Sequence, residues 1–398
     1  MPTRILTYCH DSVGLGHLRR SINVASALAA REQDVSVLCL TSSERPDLFA
    51  LPPGVDFVRL PGIRKSGDGG YAARRLGIDP REITSLRAEM VKTVARSFWP
   101  DLILVDHAPL GVQGELLPML EDQRARGSEV TTILGMRDIL DEPMRARREL
   151  ARPKIRYALD RLYRRIVIYG HPQVCDVALE YGLPSSVGRK IRYAGIACAA
   201  ESTAAGDAPK PRGLVVTVGG GEDGLPLLEA VADWLHGDRG AARDTTVVTG
   251  PLMEREDRSL VGRRLEDAGA HVIAGTPDLP GLLESAEAVV GMSGYNTVYE
   301  ALALRKRFVA VPRVRPRREQ LERANRLAGM GLLSVLEPAV LQRPGAMARA
   351  VDRAYSARPV DPLDVGLRFD GAHVAAGMLL SDAPRQQLPS NLHVGGPR

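Results

Sequence analysis

A chain of 398 residues, 44% apolar and 25% charged, has the balance of an ordinary globular protein and the length of two or three domains. A formal net charge of +5 favours anionic ligands in general without singling out nucleic acid, and no apolar run of about 18 residues is present to cross a membrane. The N-terminus, MPTRILTYCHD, has no charged segment leading into an apolar one, and Cys9, Cys39, Cys175 and Cys198 form no CxxC pair, so a cytoplasmic protein with reduced thiols and no structural zinc is expected.

Residues 4–8 read as a short strand, which ends in a loop, HDSVGLGH, at residues 10–17. A helix follows, with Ile22, Ala25, Leu28 and Ala29 at helical spacing. Residues 35–40, VSVLCL, are apolar throughout, as in a parallel strand buried on both faces. This strand–helix–strand unit recurs, with strands expected at 102–105, 131–134 and 165–169. Residues 64–79 are rich in glycine and charge and read as a mobile loop. Residues 199–212, AAESTAAGDAPKPR, read as a linker. The pattern then restarts: strands are expected at 214–218, 246–248, 271–273, 288–290 and 307–311, with a helix at 225–235 after the first. A last helix is expected at 372–380. The chain is therefore expected to be α/β, with two doubly wound Rossmann-like domains facing each other across a cleft. The first covers 1–198 and the second 213–365; 366–381 hold the final helix and 382–398 a disordered tail.

Ligands of open α/β sheets bind beyond the carboxyl ends of the strands, so the strand-to-helix loops carry the candidates. In Gly14-Leu15-Gly16-His17 the glycines allow close approach of a ligand, and the following helix offers free amides to an anion. The motif is not GxGxxG, and a plain glycine turn is the competing reading. Gly219, Gly220 and Gly221 pose the same choice. In GMSGYNTVYEA, residues 291–301, Ser293 and Gly294 fall at a helix start, with Thr297 and Glu300 on one face. A diphosphate suits such a helix N-terminus, and the Glu300 carboxylate suits two ribose hydroxyls; the alternative for Glu300 is a solvated helix position.

The segment VVGMSGYNTVYEALALRKRFVAVPRVRPRREQLERANRLAGMGLLSVL, starting at Val289, resembles the donor-binding region of GT-B glycosyltransferases. It is most similar to the bacterial enzymes that add N-acetylglucosamine to lipid I and to related bacterial glycosyltransferases. GLGHL resembles the corresponding loop there and in UDP-glycosyltransferases. PDLILVDHAPLGVQGEL and TILGMRDILDEP are similar to segments of the same group. The resemblance implies an inverting, metal-independent transfer of a sugar from a nucleoside-diphosphate donor, UDP first, to an acceptor hydroxyl. No cofactor is implied beyond the nucleotide sugar, and the acceptor is a small molecule or lipid-linked. Gly14, Gly16, Gly219, Gly220 and Gly221 would line the donor site, with Ser293, Gly294, Asn296 and Thr297 on the diphosphate and Glu300 on the ribose. The backbone of Val272 and Ile273 would read the base; Arg318, Glu319 and Gln320 would contact the sugar, and Asn325 would close that helix. His17 would be the general base, with His10 its alternative, oriented by Asp106 or, in reserve, Glu115. Two other readings share the fold: a UDP-sugar 2-epimerase of the non-hydrolysing type and a non-catalytic nucleotide-sugar-binding protein. The basic stretch 145–165 is either a solvated helix or a peripheral membrane contact. No oligomeric state follows from the sequence.

Overall fold

The computed structural model describes residues 2–10, 16–32, 34–44, 46–65, 70–126, 129–198, 213–237, 244–276, 278–358 and 360–383. Gly14, the expected linker and the tail from residue 384 lie outside the described residues.

In the first half run β1 (Thr3–Tyr8), β2 (Val35–Thr41), β3 (Val55–Arg59), β4 (Ile63–Lys65), β5 (Tyr71–Ala73), β6 (Leu102–Asp106), β7 (Thr131–Arg137), β8 (Arg165–Tyr169) and β9 (Ile191–Tyr193). Seven of them form a parallel sheet in the order β3-β2-β1-β6-β7-β8-β9. The second half contributes β10 (Leu214–Thr217), β11 (Thr245–Val248), β12 (His271–Ile273), β13 (Ala288–Gly291), β14 (Arg307–Ala310) and β15 (Ser334–Val335). They form a second parallel sheet, β12-β11-β10-β13-β14-β15. Central strands such as β6, LILVD, are buried at every position, as parallel sheets covered by helices require.

One expectation needs revision. The glycine- and charge-rich segment after residue 63 is not all loop: β4 and β5 pair as an antiparallel hairpin. Ile63 and Ala73 pack there on Ile83 of the helix Pro80–Phe98, which gives a three-residue strand something to cover. The short edge strands β3, β9 and β15 do not stand out in the sequence pattern. The expected last helix runs Gly371–Asp382 and packs on the helix Gly16–Arg31 of the first half. Only glycine fits its start, because a Cβ on Gly371 would lie 2.4 Å from the Gly195 carbonyl oxygen. Arg31 donates to the His373 carbonyl at 3.2 Å, and Arg165 pairs with Asp382 at 2.9 Å. Among the described residues no helix is long and apolar enough to cross a membrane.

Aromatic residues are scarce, so the cores are built of Leu, Val, Ile and Ala, and arginines rank among the largest fully buried side chains. Each finds a carboxylate. Arg87 pairs with Glu115 at 3.0 Å, Arg20 with Asp106 at 2.6 Å, and Arg323 with Asp138 at 2.9 Å. The last pair joins the two halves, and both side chains are wholly shielded from solvent. The Tyr299 hydroxyl also donates to Asp138, and Arg323 donates to the Ser293 carbonyl at 3.1 Å. Nearby, the Tyr295 hydroxyl donates to the Tyr169 carbonyl at 2.9 Å and accepts from the Ala197 amide at 3.0 Å. Arg317 reaches Asp141 and Glu149, both at 3.2 Å. The basic stretch 145–165 is therefore partly tied into this interface: Glu149 takes Arg317, and Arg145 pairs with Asp141 at 3.3 Å.

Removing one member of a fully buried ion pair strands the other. Asp138→Ala is expected to destabilise the protein by about 3–5 kcal/mol, whereas Asp138→Leu combined with Arg323→Met should recover most of the loss. Urea unfolding of the three proteins measures this; a single variant as stable as the wild type would mean that the pair does not hold the halves together.

Candidate active site

In each sheet the strand order reverses at one place, between β1 and β6 in the first and between β10 and β13 in the second. Connections leave those two points in opposite directions, which opens a crevice beyond the strand ends. His10 follows β1, and Asp106 and His107 close β6. Gly219–Gly221 follow β10, and Ser293–Asn296 follow β13. The two crevices face each other and share a cavity of about 640 Å³, within the range of small-molecule sites.

His17 stands at the start of the helix Gly16–Arg31, and its Nδ1 lies 2.6 Å from Asp106 Oδ2. An ionised carboxylate only accepts, and Asp106 is closer to Nδ1 than Arg20 Nη2 is at 3.0 Å, so the shorter bond puts the proton on Nδ1 and leaves Nε2 unprotonated. Arg20, one turn further along the helix, donates to the other Asp106 oxygen from Nη2 at 2.6 Å and Nε at 3.2 Å. Of the two carboxylates expected near His17, Asp106 is the one in contact. Glu115 lies elsewhere, accepting from the Tyr8 hydroxyl at 2.6 Å and from Arg87. His10 and His107 complete a cluster with His17, with ring centroids 5.0–5.2 Å apart. His107 has a left-handed backbone, φ 65°, which turns the chain sharply off β6. Among the described residues no group of three His, Cys, Asp or Glu converges as metal ligands would.

Burial dominates the electrostatics. It lowers His17 to about 3 and His10 to about 4, outweighing the Asp106 carboxylate that pulls the other way. His107 is likewise held well below the ordinary imidazole value by burial and by Arg137. Asp106 is held well below the usual carboxylate range: its burial works against ionisation, but Arg20 and His17 more than offset it. All three imidazoles are therefore neutral and Asp106 is charged near neutral pH.

On the facing wall, Gly219 and Gly221 have φ of 64° and 101°, and a Cβ on Gly221 would lie 2.7 Å from the Thr249 carbonyl oxygen. Gly219, Gly220, Gly221, Gly294, Asn296, Thr297, Glu319 and Gln320 all line the cavity with Gly16 and His17. Gly294 caps the helix Tyr295–Ala303 with no side-chain bond, so the first amides of that helix are open to a ligand. Other expected residues sit differently. Val272 and Ile273 belong to the ladder of β12, and the Ile273 carbonyl already accepts from the Thr249 amide; Ala274, Gly275 and Thr276 line the cavity instead. Ser293 is fully buried behind the wall, its hydroxyl without a partner among the described residues. Arg318 is turned away, its guanidinium 3.5 Å from Glu142 and its amide bonded to Asp141, while Arg313 and Arg317 line the cavity. Asn325 is exposed. Glu300 is neither solvated nor at the cavity surface: it is fully buried, 3.1 Å from Arg19 Nη2 across the domain interface. Sequence reasoning missed Arg19, Arg20, His107, Arg137 and Arg323 as members of the site. Position alone marked two of them, since His107 follows β6 and Arg137 ends β7.

This pairing of two doubly wound sheets across a cleft is the GT-B fold. Among solved structures the chain is similar to a glycotransferase of kitacinnamycin, with 16% identity, a TM-score of 0.61 and coverage of 96% of this chain and 100% of that one. It is also similar to MurG of Acinetobacter baumannii, with 14% identity, a TM-score of 0.55 and coverage of 96% and 100%. UGT71G1 of Medicago truncatula, solved with UDP-glucose, shares 11% identity at a TM-score of 0.58, with coverage of 96% and 98%. No protein-family profile and no curated sequence matches the chain.

The depressed imidazoles bear on stability. In the unfolded chain a histidine binds its proton near pH 6.5, whereas His10 and His17 resist it down to about 4 and about 3. Between those values the unfolded state binds more protons, so stability falls as pH falls, by up to about 1.4 kcal/mol per unit for each histidine. The carboxylates Asp106 and Asp138, depressed in the fold, add their loss only below about 4. Unfolding midpoints should therefore drop steadily from pH 6.5 to 4. His107→Asn, which tolerates the left-handed backbone, should flatten that slope. Equal slopes in the two proteins would show that His107 is not held neutral.

Proposed function

We propose that the protein transfers a sugar from a nucleoside-diphosphate donor, UDP first among the bases, to an acceptor hydroxyl with inversion at the anomeric carbon. The observation that carries this is the His17–Asp106 contact of 2.6 Å in a cavity whose other wall is a glycine turn and an uncapped helix N-terminus. A neutral imidazole with its proton fixed on Nδ1 is the form a general base needs. The open amides that follow Gly294, with the turn at Gly219–Gly221 leaving room for close approach, are what a departing diphosphate needs. The GT-B fold, common to glycosyltransferases of several kinds, supports the same reading.

In this scheme the diphosphate lies between the glycine turn and the helix Tyr295–Ala303, the base by residues 274–276, and the sugar by Glu319 and Gln320. The acceptor enters from the first domain. Nε2 of His17 takes the hydroxyl proton while the acceptor oxygen bonds to the anomeric carbon. The bond from that carbon to the diphosphate oxygen breaks, and its electron pair leaves with the diphosphate. Asp106 steadies the imidazolium that forms. Glu300 exchanges Arg19 for the ribose hydroxyls, which frees Arg19 to turn toward the phosphates. No step calls for a metal or a cofactor.

A thermal-shift panel of nucleoside diphosphates and nucleotide sugars should pick out one base by its stabilisation, which grows as RT ln(1 + [L]/Kd). His17→Ala should lower donor turnover by about 10²–10⁴-fold, with donor affinity nearly unchanged. Asp106→Asn should do the same, since it cannot hold the tautomer. Glu300→Ala should weaken the donor by about 1–3 kcal/mol in calorimetry. Wild-type turnover in the His17 variant would end its assignment as the base and pass the role to His10.

A further inference from the structure

Arg137 is the last residue of β7, beside the end of β6 that carries Asp106 and His107, and it lines the cavity. The other arginines of the inner wall are neutralised. Arg19 has Glu300 at 3.1 Å, Arg20 has Asp106 at 2.6 Å, Arg313 has Asp223 at 3.0 Å, Arg317 has Asp141 at 3.2 Å, and Arg323 has Asp138 at 2.9 Å. The main chain of Arg137 is held in the ladder with β8, but its guanidinium makes no hydrogen bond and no ion pair with any described residue, and its Nε is sealed from solvent without an acceptor. Of the carboxylates that act on it, Asp106 is engaged by Arg20 and His17, and Glu319 gives one oxygen to Arg313 while the other, buried and without a partner, makes no bond to Arg137 either. The nearby rings of His10, His17 and His107 are neutral. Burial, helped by Arg20, lowers Arg137 to about 10, which leaves it charged at neutral pH. Arg258 of the opposite domain lines the cavity unpaired as well, but none of its nitrogens is buried without a partner.

A guanidinium that is half-buried, with Nε sealed from solvent and no acceptor on it, is costly, and only the more distant charges of Glu319 and Asp106 offset that cost. We propose that Arg137 is a specificity residue that binds a carboxylate or phosphate carried by one of the two reactants, close to the bond being made. This rests on the glycosyl-transfer reading of the cavity. Glycine turn and helix amides on the facing wall already suit the diphosphate, whereas Arg137 sits among the imidazoles and beside Glu319 and Arg323. One chemistry has two sources there: an acidic sugar on the donor or an acidic group on the acceptor. A planar guanidinium grips such an oxyanion through two parallel N–H bonds, which a lysine cannot reproduce.

The test compares wild type with Arg137→Gln and Arg137→Lys. In the donor arm, calorimetry measures UDP-glucose against UDP-glucuronate. In the acceptor arm it measures 4-hydroxybenzoate against its methyl ester, with and without UDP. In one arm the charged member should bind wild type at least about tenfold more tightly, a preference lost in Arg137→Gln and only partly kept in Arg137→Lys. Affinity for UDP should stay within about threefold. The melting temperature of Arg137→Gln should equal or exceed that of wild type, since a half-buried charge without a partner is removed; a drop of several degrees would overturn the proposal in favour of a structural role. It is also overturned if neither arm shows a preference that depends on Arg137, or if UDP alone weakens tenfold, which would make Arg137 a diphosphate ligand. If no nucleoside diphosphate of the panel binds the wild type, the transfer reading falls, and the acceptor arm without nucleotide still decides whether Arg137 is an anion site.

Discussion

A carboxylate buried in the wall of a cleft stays ionised only if a cation is buried with it, and much of this molecule is arranged around that requirement at Asp106. Arg20 meets it with two hydrogen bonds to one oxygen, which leaves the other oxygen for His17. The same guanidinium lies 5.6 Å from the ring of Tyr169 in the first domain and 5.5 Å from that of Tyr295 in the second. Tyr295 is the first residue of the helix whose open N-terminus faces the cavity. The charge that fixes the imidazole therefore also fixes where the facing wall stands relative to it.

Asp138 repeats the device just past the end of β7. Its cation, Arg323, comes from the second domain and lies 5.6 Å from the Tyr295 ring, so both guanidinium groups bear on one aromatic side chain. Buried ion pairs add little net stability over well-packed apolar side chains. Their effect is directional: a charge that must be paired admits few arrangements of its neighbours, whereas apolar surfaces slide. Two sheets with cores of Leu, Val and Ala could pack in several registers. Asp138 with Arg323, Arg19 with Glu300, and the bond from Asn296 Nδ2 to the Gly16 carbonyl at 3.1 Å select one of them.

What the sequence discloses follows from the range of the interactions involved. Buried parallel strands announce themselves as apolar runs, so the sheet centres were plain, as were the glycine turns and the helix start at Gly294. Edge strands such as β15, two residues long, carry no such run and depend on a neighbour to exist. Pairing is harder still. His17 and Asp106 are 89 positions apart, and Arg323 and Asp138 are 185. No spacing rule connects them; only strand order does. Glu300 shows the same limit from the other side. Small apolar neighbours made it look like a residue at a pocket surface, but full burial of a carboxylate demanded a cation, and that cation comes from a helix in the other domain.

The arrangement makes His17 a poor base in the empty cleft. Burial is the main cause, and Arg137 and Arg20 add to it, while Asp106 alone opposes them. A proton arriving at Nε2 would meet the field of two guanidinium groups and only one carboxylate. Bringing in an anion changes that balance. A diphosphate, or an acidic group at Arg137, adds negative charge near the same arginines, and by Coulomb's law it raises the affinity of the imidazole for a proton. The basicity of His17 then depends on occupancy: the imidazole is weak as a base in the empty cleft and strengthens when the cleft holds an anion. Under the proposed transfer, an acceptor hydroxyl in a cleft without donor would find no competent base, and proton removal would be coupled to the presence of a leaving group that can use it.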